Sequence, residues 1–237
     1  MIEGIVAESG SIVHGVCPIT LVGGGQATPS DLHSALTLAP RCIAADGGAV
    51  LALQAGIMPE AVIGDFDSIP AEVQQQVPAD RLHRIDEQDS TDFEKALTRI
   101  TAPVVIGVGF TGGRIDHQLG ALHTLMVCAD RPCVLLGPEE LVFLAPPRIS
   151  LPTTQSEIVS LFPLGVVTGR STGLHWPLDG LQFAPGGQSG TSNRATGPIT
   201  VEVNAPALLM IVPRRLLKPV VAALAAPEAA RWPARAG

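Results

Sequence analysis

Short apolar runs alternate with helical patterns from about residue 17 to residue 145, and this alternation limits the possible folds more than any other feature. Such alternation is typical of βαβ units, in which helices cover a mostly parallel sheet. The runs are apolar at consecutive positions, as expected of strands buried on both faces. The predicted strands are CPITLV, RCIAA, EAVIG, RLHRI, APVVIGVGF and RPCVLL, and the predicted helices are PSDLHSALTLA, AVLALQAG, STDFEKALTRI and RIDHQLGALHTLMVCA.

The character of the sequence changes after Pro146 and Pro147. Helical periodicity disappears and turn residues recur through SEIVSLFPLGVVTG, the loop-rich stretch from STGLHWPLDG to SGTSNRATG, and PITVEVNAPALLMIVP. This pattern predicts a small antiparallel β domain. We therefore divide the chain into an α/β domain at residues 1–147, a β domain at residues 148–213 and a tail at residues 214–237, whose alanine-rich sequence favours a helix.

The balance of charged residues limits the partners that the chain can bind. It contains 15 Lys and Arg residues against 22 Asp and Glu residues, a formal net charge of −7, and it has no long basic run. No nucleic-acid partner is therefore expected. A negative protein can still bind a polyphosphate if a divalent metal held by carboxylates offsets the repulsion between like charges.

Two further features indicate a cytoplasmic protein without a membrane partner. The N-terminal sequence MIEGIVAESGSIVHG has no basic start followed by an apolar run, and no apolar stretch of the chain is long enough to span a bilayer. The cysteines show neither a CxxC motif nor zinc-type pairing, so we expect buried thiols in a reducing compartment rather than metal ligands. They are Cys17, Cys42, Cys128 and Cys133.

Acidic and glycine residues directly follow four of the predicted strands. In an open α/β sheet, ligands bind beyond the carboxyl ends of the strands. The chain therefore has one candidate site at this edge of the sheet. The residues at the four strand ends are Gly23, Gly24 and Gly25; Asp46, Gly47 and Gly48; Asp65 and Asp67; and Gly112, Gly113, Arg114 and Asp116.

Asp65 and Asp67 are the pair at this edge that most suggests a bound cation. Two residues apart in extended chain, their side chains project to the same side about 7 Å apart, close enough to bracket one cation. The alternative is that Asp65 caps the following segment and that Asp67 forms an Asx-turn before Ser68. Because Asp46 and Asp116 stand at neighbouring strand ends, metal binding is the favoured interpretation.

The stretch DEQDSTDFEKAL marks the start of a helix. Thr91 and Glu94 have capping-box spacing, and Asp92, Lys95 and Arg99 then share one helix face. Taken alone, this charged face is best interpreted as a solvated surface with an Asp92–Lys95 ion pair. The functional alternative gives Asp92 a share of a metal ion and Lys95 a phosphate contact.

The stretch GVGFTGGRIDHQLGAL suggests a phosphate site. It contains the dinucleotide fingerprint G-x-G-x-x-G, but about three βα units precede it, so the match is weak. Gly112 and Gly113 lead into Arg114 at a helix start, where free N–H groups, the helix dipole and a guanidinium all favour phosphate. His117 is either a partner of Asp116 or a plain helix residue. The P-loop motif is missing from the sequence, which excludes a P-loop NTPase.

Four motifs in this order resemble the thiamine pyrophosphokinase family: ADGGA, GIMPEAVIGDFDSI, DSTDFEKAL and GFTGGRIDHQLGAL. STGLHWPL and SGTSN are similar to the β domain of the same family, so the resemblance covers nearly the whole chain. It implies an α/β fold class, with a Rossmann-like, mostly parallel sheet domain followed by a small antiparallel β-sandwich domain that binds thiamine. It also implies a homodimer with sites between subunits. The implied reaction transfers a pyrophosphoryl group from ATP to the thiamine hydroxyl with Mg²⁺, giving AMP and thiamine diphosphate.

The resemblance also implies a role for each matching residue. The catalytic group would be Asp65, Asp67, Asp92 and Lys95, and the metal ligands would be Asp46, Asp65, Asp67 and Asp92. The nucleotide would be bound by Asp46, Gly47, Gln88, Gly112, Gly113, Arg114 and Asp116. Trp176 would stack on a thiamine ring, and Ser192 and Asn193 would hydrogen-bond the pyrimidine. Arg194 follows where the family often carries an acidic residue.

Several alternatives remain open on the residues themselves. Phosphoryl chemistry needs positioning and charge neutralisation, and any one of the carboxylates could accept the hydroxyl proton. Trp176 could instead pack in the core of the β domain. The acidic site would equally serve a pyrophosphokinase for another alcohol, such as a hydroxymethylpterin. A non-catalytic nucleotide-binding regulator is a third possibility, although it would not need the full set of aspartates.

Overall fold

A computed structural model describes residues 10–234 of the chain as a mixed α/β fold built on one large mixed sheet. The helices are α1 Pro29–Leu36, α2 Gly48–Gln54, α3 Ala71–Gln74, α4 Asp92–Thr98, α5 Ile115–Val127 and α6 Leu217–Ala225, with 3₁₀ turns at Ala79–Arg81 and Arg214–Leu216. The strands are β1 Val13–His14, β2 Ile19–Val22, β3 Arg41–Ala45, β4 Ala61–Gly64, β5 Leu82–Arg84, β6 Ile100–Thr101, β7 Val105–Val108, β8 Cys133–Leu136, β9 Glu140–Leu144, β10 Arg148–Leu151, β11 Ile158–Pro163, β12 Val167–Leu174, β13 Gln182–Phe183, β14 Gly190–Val203 and β15 Leu208–Pro213.

The first part of the sheet is parallel and runs in the order β5-β4-β3-β2-β7-β8. All six strands predicted from the apolar runs are present, as are the four predicted helices, α1, α2, α4 and α5. Every residue of β2, β4, β7 and β8 is buried, which agrees with helices on both faces. β5 is less buried because it lies at the edge of the sheet.

The sheet continues into an antiparallel part without a break. β9 pairs with β8, and β15, β11, β14, β12 and β13 follow in that order. β14 pairs with β11 over its first residues and with β10 and β12 mainly over its last, so this one strand bonds three others. The domain boundary at residue 147 stays a prediction. β9 and β15 nevertheless pair across it, a contact that no local pattern could indicate.

Two glycines fix the backbone at the carboxyl edge of the parallel strands. A Cβ atom on Gly48 would lie 2.0 Å from the carbonyl oxygen of Val22, so α2 can begin this close to β2 only at a glycine. A Cβ atom on Gly64 would lie 2.8 Å from the Cβ of Asp46. Both approaches are closer than real Cβ atoms allow, and they place the ends of β2, β3 and β4 against one another.

The expectation of four buried thiols is right for three and wrong for Cys17, which is exposed. β2 begins only at Ile19, so Cys17 lies in the bend that precedes the strand and outside the sheet. Burial raises the pKa of the Cys42 and Cys128 thiols to about 12. Within residues 10–234, no helix is long and apolar enough to cross a membrane. The prediction about a signal peptide concerns an N-terminal stretch whose first nine residues lie outside the described part.

Candidate active site

The ends of four strands meet at one edge of the sheet, as predicted from their polar and glycine residues. β2 pairs in parallel with both β3 and β7, and β3 pairs with β4, so their carboxyl ends lie side by side. The loops after β2 and β7 are also hydrogen-bonded directly, since Gly23 N–H donates to Val108 O (2.7 Å) and Gly25 N–H donates to Gly109 O (2.8 Å). The glycine stretch 23–25, which the sequence placed at this edge, is thus part of the floor of the edge.

Asp46, Asp65 and Asp67 form an acidic cluster at this edge. Each offers a carboxylate oxygen, and these oxygens all lie within 4.8 Å of one another. Asp46 is buried, Asp65 is partly exposed and Asp67 is exposed, so the cluster opens to solvent on one side. Carboxylate oxygens are the ligands that Mg²⁺ prefers in proteins, and the donor set therefore fits that ion.

Asp46 holds the loop that carries the other two aspartates. Its carboxylate accepts hydrogen bonds from the backbone N–H groups of Phe66 (2.8 Å) and Ser68 (3.2 Å). Asp46 and Phe66 both have left-handed backbone conformations, with φ of 42° and 68°, which are costly for residues with a side chain. Sequence analysis missed Phe66 and Ser68, because their contribution comes from the backbone alone.

The surroundings of Asp46 oppose its ionisation. Burial raises its pKa, and the negative charges of Asp92 and Asp65 raise it further, while backbone hydrogen bonds from Phe66 and Gly47 lower it in part. A carboxylate in such surroundings is stabilised by any nearby cation. The fold therefore holds these carboxylates together against their mutual repulsion, and a bound cation would relieve that repulsion.

Lys95 of α4 is the basic residue of this region. Its Nζ atom lies 2.9 Å from Oδ2 of Asp65 and 3.3 Å from Oδ1 of Asp92. The hydrogen bond from Lys95 lowers the pKa of Asp65. Burial lowers the pKa of Lys95, but the two carboxylates outweigh burial and raise it overall. The helix spacing predicted that Lys95 lies on a solvated face, and this prediction is wrong. α4 packs on β3 and β4, and Lys95 is only 2% exposed.

Asp92 lies at the rim of the acidic cluster and is not one of the three residues whose oxygens converge within 4.8 Å. Burial and the charges of Asp65 and Asp67 raise its pKa, and Lys95 offsets part of that rise. With Asp92, the region holds four carboxylates and the single ammonium group of Lys95. Its net charge is therefore negative, which would favour a divalent cation. Gln88 lies beside this group, with its Nε2 atom 3.4 Å from Oδ2 of Asp65.

Asp65 and Asp67 also make the local turn hydrogen bonds that the sequence offered as the alternative to metal binding. Oδ1 of Asp65 accepts a hydrogen bond from Asp67 N–H (3.2 Å), and Oδ1 of Asp67 accepts one from the hydroxyl of Ser68 (2.8 Å). These bonds use one oxygen of each carboxylate and orient it locally. Oδ2 of Asp65 also accepts from Lys95, whereas Oδ2 of Asp67 takes part in none of these bonds, so the turn leaves Asp67 an oxygen for a cation.

The glycine loop after β7 presents an arginine to solvent. Gly112 and Gly113 both have left-handed backbones, with φ of 74° and 70°, and Arg114 follows at the N-cap of α5. Arg114 makes two hydrogen bonds to Asp116, at 3.1 and 2.5 Å, and its guanidinium lowers the pKa of that carboxyl. Asp116 thus pairs with Arg114 and is outside the acidic cluster. His117 binds Asp116 through its backbone N–H, which supports a helix residue rather than a side-chain partner.

The Trp176 wall, which consists of Trp176, Ser192 and Asn193, lies in the antiparallel part. The Trp176 ring is 55% exposed, so the core-packing alternative is wrong, and it meets His175 edge to face with centroids 4.5 Å apart. Buried Asn193 accepts from Trp176 N–H (3.2 Å) and donates to Trp176 O (2.7 Å). Ser192 is exposed and has a left-handed backbone with φ of 61°.

The acidic cluster and the Trp176 wall are far apart along the sheet. Seven strands lie between β4, which carries the aspartates at its end, and β14, which carries Asn193. At about 4.8 Å per strand, the separation is roughly 30–40 Å in a twisted sheet. The strand order therefore separates the two groups along the sheet of one chain.

A mixed sheet with clustered carboxylates beyond its parallel strands defines an α/β protein with an acidic edge. Comparison with known proteins then gives the family. Residues 32–135 match the model of the thiamin pyrophosphokinase catalytic domain, and residues 148–208 match that of the thiamin pyrophosphokinase vitamin B1 binding domain. The chain belongs to the thiamine pyrophosphokinase family.

Relatives from plants and bacteria agree with this placement. The chain is 31% identical over 182 residues to thiamine pyrophosphokinase 2 of Oryza sativa subsp. japonica. The aligned region covers 67% of this chain and 67% of that protein. It spans 58% of the length of thiamine pyrophosphokinases 1 and 3 of that plant. The crystal structure of thiamin pyrophosphokinase from Geobacillus thermodenitrificans is similar with a TM-score of 0.69 and 30% identity, over 83% of this chain and 97% of that one. The Candida albicans enzyme, at 17% identity and a TM-score of 0.70, shares the fold.

Proposed function

We propose that this protein transfers a pyrophosphoryl group from ATP to the hydroxyethyl oxygen of thiamine, giving thiamine diphosphate and AMP. The observation that carries the proposal is the acidic cluster, whose three carboxylates converge within 4.8 Å at the carboxyl edge of the parallel strands. Membership of the family supports the same reaction. The match of residues 148–208 to a vitamin B1 binding model favours thiamine over a hydroxymethylpterin as the acceptor.

In this proposal, Asp46, Asp65 and Asp67 hold Mg²⁺, and Asp92 completes the negative rim. When bound, Mg²⁺ supplies positive charge that offsets the charge of the triphosphate. Lys95 keeps Asp65 ionised and fixed, and one carboxylate of the group accepts the proton that the thiamine hydroxyl loses. The contribution of the chain is therefore alignment and charge, as phosphoryl transfer requires.

The nucleotide is proposed to lie on the glycine floor of this edge, against Gly47, Gln88 and the loop from Gly112 to Asp116. Gly113 faces open space, since a Cβ atom there would meet no atom within 4 Å. Arg114 is exposed and its pairing with Asp116 holds the guanidinium at the start of α5. Exchange of this exposed ion pair for a phosphate contact costs little, because solvent screens a surface pair strongly.

The acceptor is proposed to stack on Trp176 and to contact exposed Ser192, while buried Asn193 acts indirectly by fixing the backbone of Trp176. The separation of roughly 30–40 Å within one chain supports a homodimer in which the Trp176 wall of one subunit faces the acidic cluster of the other. We accordingly assign residues 1–147 to a Rossmann-like catalytic domain and residues 148–213 to a thiamine-binding β-sandwich, followed by the tail. A cytoplasmic location without nucleic-acid or membrane partners completes the proposal.

The nucleotide product tests this function. Purified protein is incubated with ATP and Mg²⁺, with and without thiamine, and the nucleotides are separated by chromatography. We expect AMP and thiamine diphosphate in equal amounts, and only when thiamine is supplied. ADP as the main product would exclude pyrophosphoryl transfer. Turnover with a hydroxymethylpterin instead of thiamine would reassign the acceptor, and ATP binding without turnover would indicate a regulator.

A further inference from the structure

Arg194 carries a charge that the described chain leaves without a partner. Among the arginines between residues 10 and 234, it alone donates no hydrogen bond from its side chain, and it forms no ion pair within that range. The other arginines there bind carboxylates, backbone carbonyls or hydroxyls. The contacts of the described residues therefore give the Arg194 side chain no structural role.

The backbone of Arg194 is tied directly to the Trp176 wall. Its N–H donates to Oδ1 of Asn193 (2.8 Å), the same oxygen that accepts the N–H of Trp176 (3.2 Å). Its carbonyl oxygen accepts the N–H of His175 (2.8 Å). The buried Asn193 amide therefore links the backbones of Arg194 and Trp176, and a backbone hydrogen bond ties Arg194 to His175, the residue before Trp176.

The side chain of Arg194 lies on the open face of the strand. Its neighbours Asn193 and Ala195 are buried, whereas Arg194 is exposed, in keeping with strand alternation. The residue opposite on β11 is Ile158, which is 54% exposed and carries no charge. No cross-strand carboxylate neutralises the guanidinium on this face.

We propose that Arg194 determines the charge selectivity of the acceptor site. It weakens the binding of an acceptor with a positively charged ring relative to a neutral acceptor of the same shape. The proposal rests on the proposed function, in which Trp176 supports the acceptor. Thiamine carries a fixed positive charge on its thiazolium ring. The face of Trp176 attracts that cation and the guanidinium repels it, so the two side chains act on its affinity in opposite directions.

The test compares two acceptors in matched variants. One is thiamine, and the other is an isostere in which a neutral thiophene replaces the thiazolium. Dissociation constants are measured by quenching of Trp176 fluorescence in a Trp232→Phe background, so that binding is read without turnover. The variants are Arg194→Gln and Arg194→Glu, with Lys218→Gln and Lys218→Glu as controls of equal net charge. Lys218 is exposed on α6, which packs on β10 and β8.

We expect thiamine to bind about threefold more tightly to Arg194→Gln and about tenfold more tightly to Arg194→Glu at low salt, with a smaller gain at high salt. The isostere should bind these variants and the parent alike, and the Lys218 variants should match the parent for both acceptors. Equal changes for both acceptors, or equal effects of Lys218 and Arg194 substitution, would overturn the proposal. An unchanged thiamine affinity in the Arg194 variants would overturn it as well.

The same experiment separates this inference from the proposed function. If the parent protein binds thiamine and forms AMP while the Arg194 variants do not change the ratio of the two affinities, only the inference fails. If the parent binds neither acceptor and forms no AMP, the proposed function fails and the inference fails with it. Thermal melts of the Arg194 variants should match the parent, because the side chain makes no described polar contact whose loss would matter.

Discussion

The Nζ atom of Lys95 lies 2.9 Å from Oδ2 of Asp65, and this ion pair joins α4 to the loop after β4. Lys95→Met would leave Asp65 and Asp92 without their cation, and we expect the free energy of unfolding to fall by about 2 kcal/mol at pH 7. Urea denaturation measures the change. Lys218→Met, which removes an exposed charge, is the control and should have little effect. Equal stabilities of the parent and Lys95→Met would show that the ion pair is energetically unimportant.

Asp67→Asn tests the acidic cluster as a cation site. Asparagine keeps an oxygen that can accept the hydroxyl of Ser68, so the turn is retained while a charged ligand is lost. We expect the affinity for Mg²⁺ to fall about tenfold or more, measured by calorimetric titration of the protein without nucleotide. Asp86→Asn, which changes an exposed carboxylate paired with Arg84, is the matched control. Unchanged Mg²⁺ affinity would favour a purely turn-forming role for Asp67.

Asn193→Ala tests the support of the Trp176 ring. The substitution removes a buried amide that binds both the N–H and the C=O of Trp176, which costs about 1–3 kcal/mol for the unpaired groups. We expect stronger acrylamide quenching of Trp176 in a Trp232→Phe background, together with weaker thiamine binding. Asn204→Ala, which removes a hydrogen bond to Thr168 N–H, is the control. Identical quenching in the two variants would contradict the positioning role of Asn193.

Asp31→Asn should lower stability in a pH-dependent manner. Burial opposes ionisation of Asp31, but the Thr28 hydroxyl, the Thr28 N–H and Arg214 outweigh burial and hold its pKa below the ordinary value. The ionised group therefore stabilises the fold above the unfolded-state pKa, and this contribution is lost as the pH falls through the folded-state pKa. We expect a loss of about 1 kcal/mol at pH 7 that shrinks below about pH 4.

Urea denaturation over a pH series measures this effect. Asp80→Asn is the control, because the Asp80 carboxylate makes no hydrogen bond within residues 10–234 and is exposed. A difference between the parent and Asp31→Asn that stays constant from pH 7 to pH 3 would mean that the charge of Asp31 is not the cause.

Mixed subunits test the composite site. A subunit with Asp67→Asn keeps a usable Trp176 wall, and a subunit with Trp176→Ala keeps a usable acidic cluster. Co-refolding the two inactive variants should recover a substantial part of the parental rate, because one site of each mixed dimer then has neither defect. A mass tag on one variant confirms subunit exchange. Mixed dimers that form but stay inactive would mean that the site lies within one chain.

The sequence predicted the acidic edge because it depends on a local rule. Asp46, Asp65 and Asp67 each follow a predicted strand, and parallel strands end at a common edge. The burial of Lys95 was not predictable, because helix spacing groups residues on a face without showing which face packs on the sheet. The left-handed backbone of Phe66 could not be predicted from its residue type, because such conformations are usually found at glycine.

Pairings between distant residues were equally hidden. The contact of Asn193 with Trp176 depends on β12 and β14 being neighbours, and apolar alternation does not say which strands pair. The pairing of β9 with β15, which makes the sheet continuous, was not predictable for the same reason. Those parts of the fold that follow from consecutive residues were predicted, and those that follow from the order of strands were not.

The pairing of β9 with β15 has a consequence for the growing polypeptide. On the ribosome, β9 is complete at Leu144, whereas its partner is made only after residues 145–207 have been added. Until then, β9 presents free N–H and C=O groups along the border of an otherwise finished parallel sheet. A nascent chain paused within this interval therefore exposes an unpaired strand edge, and we expect slow translation between residues 145 and 207 to favour unwanted strand addition.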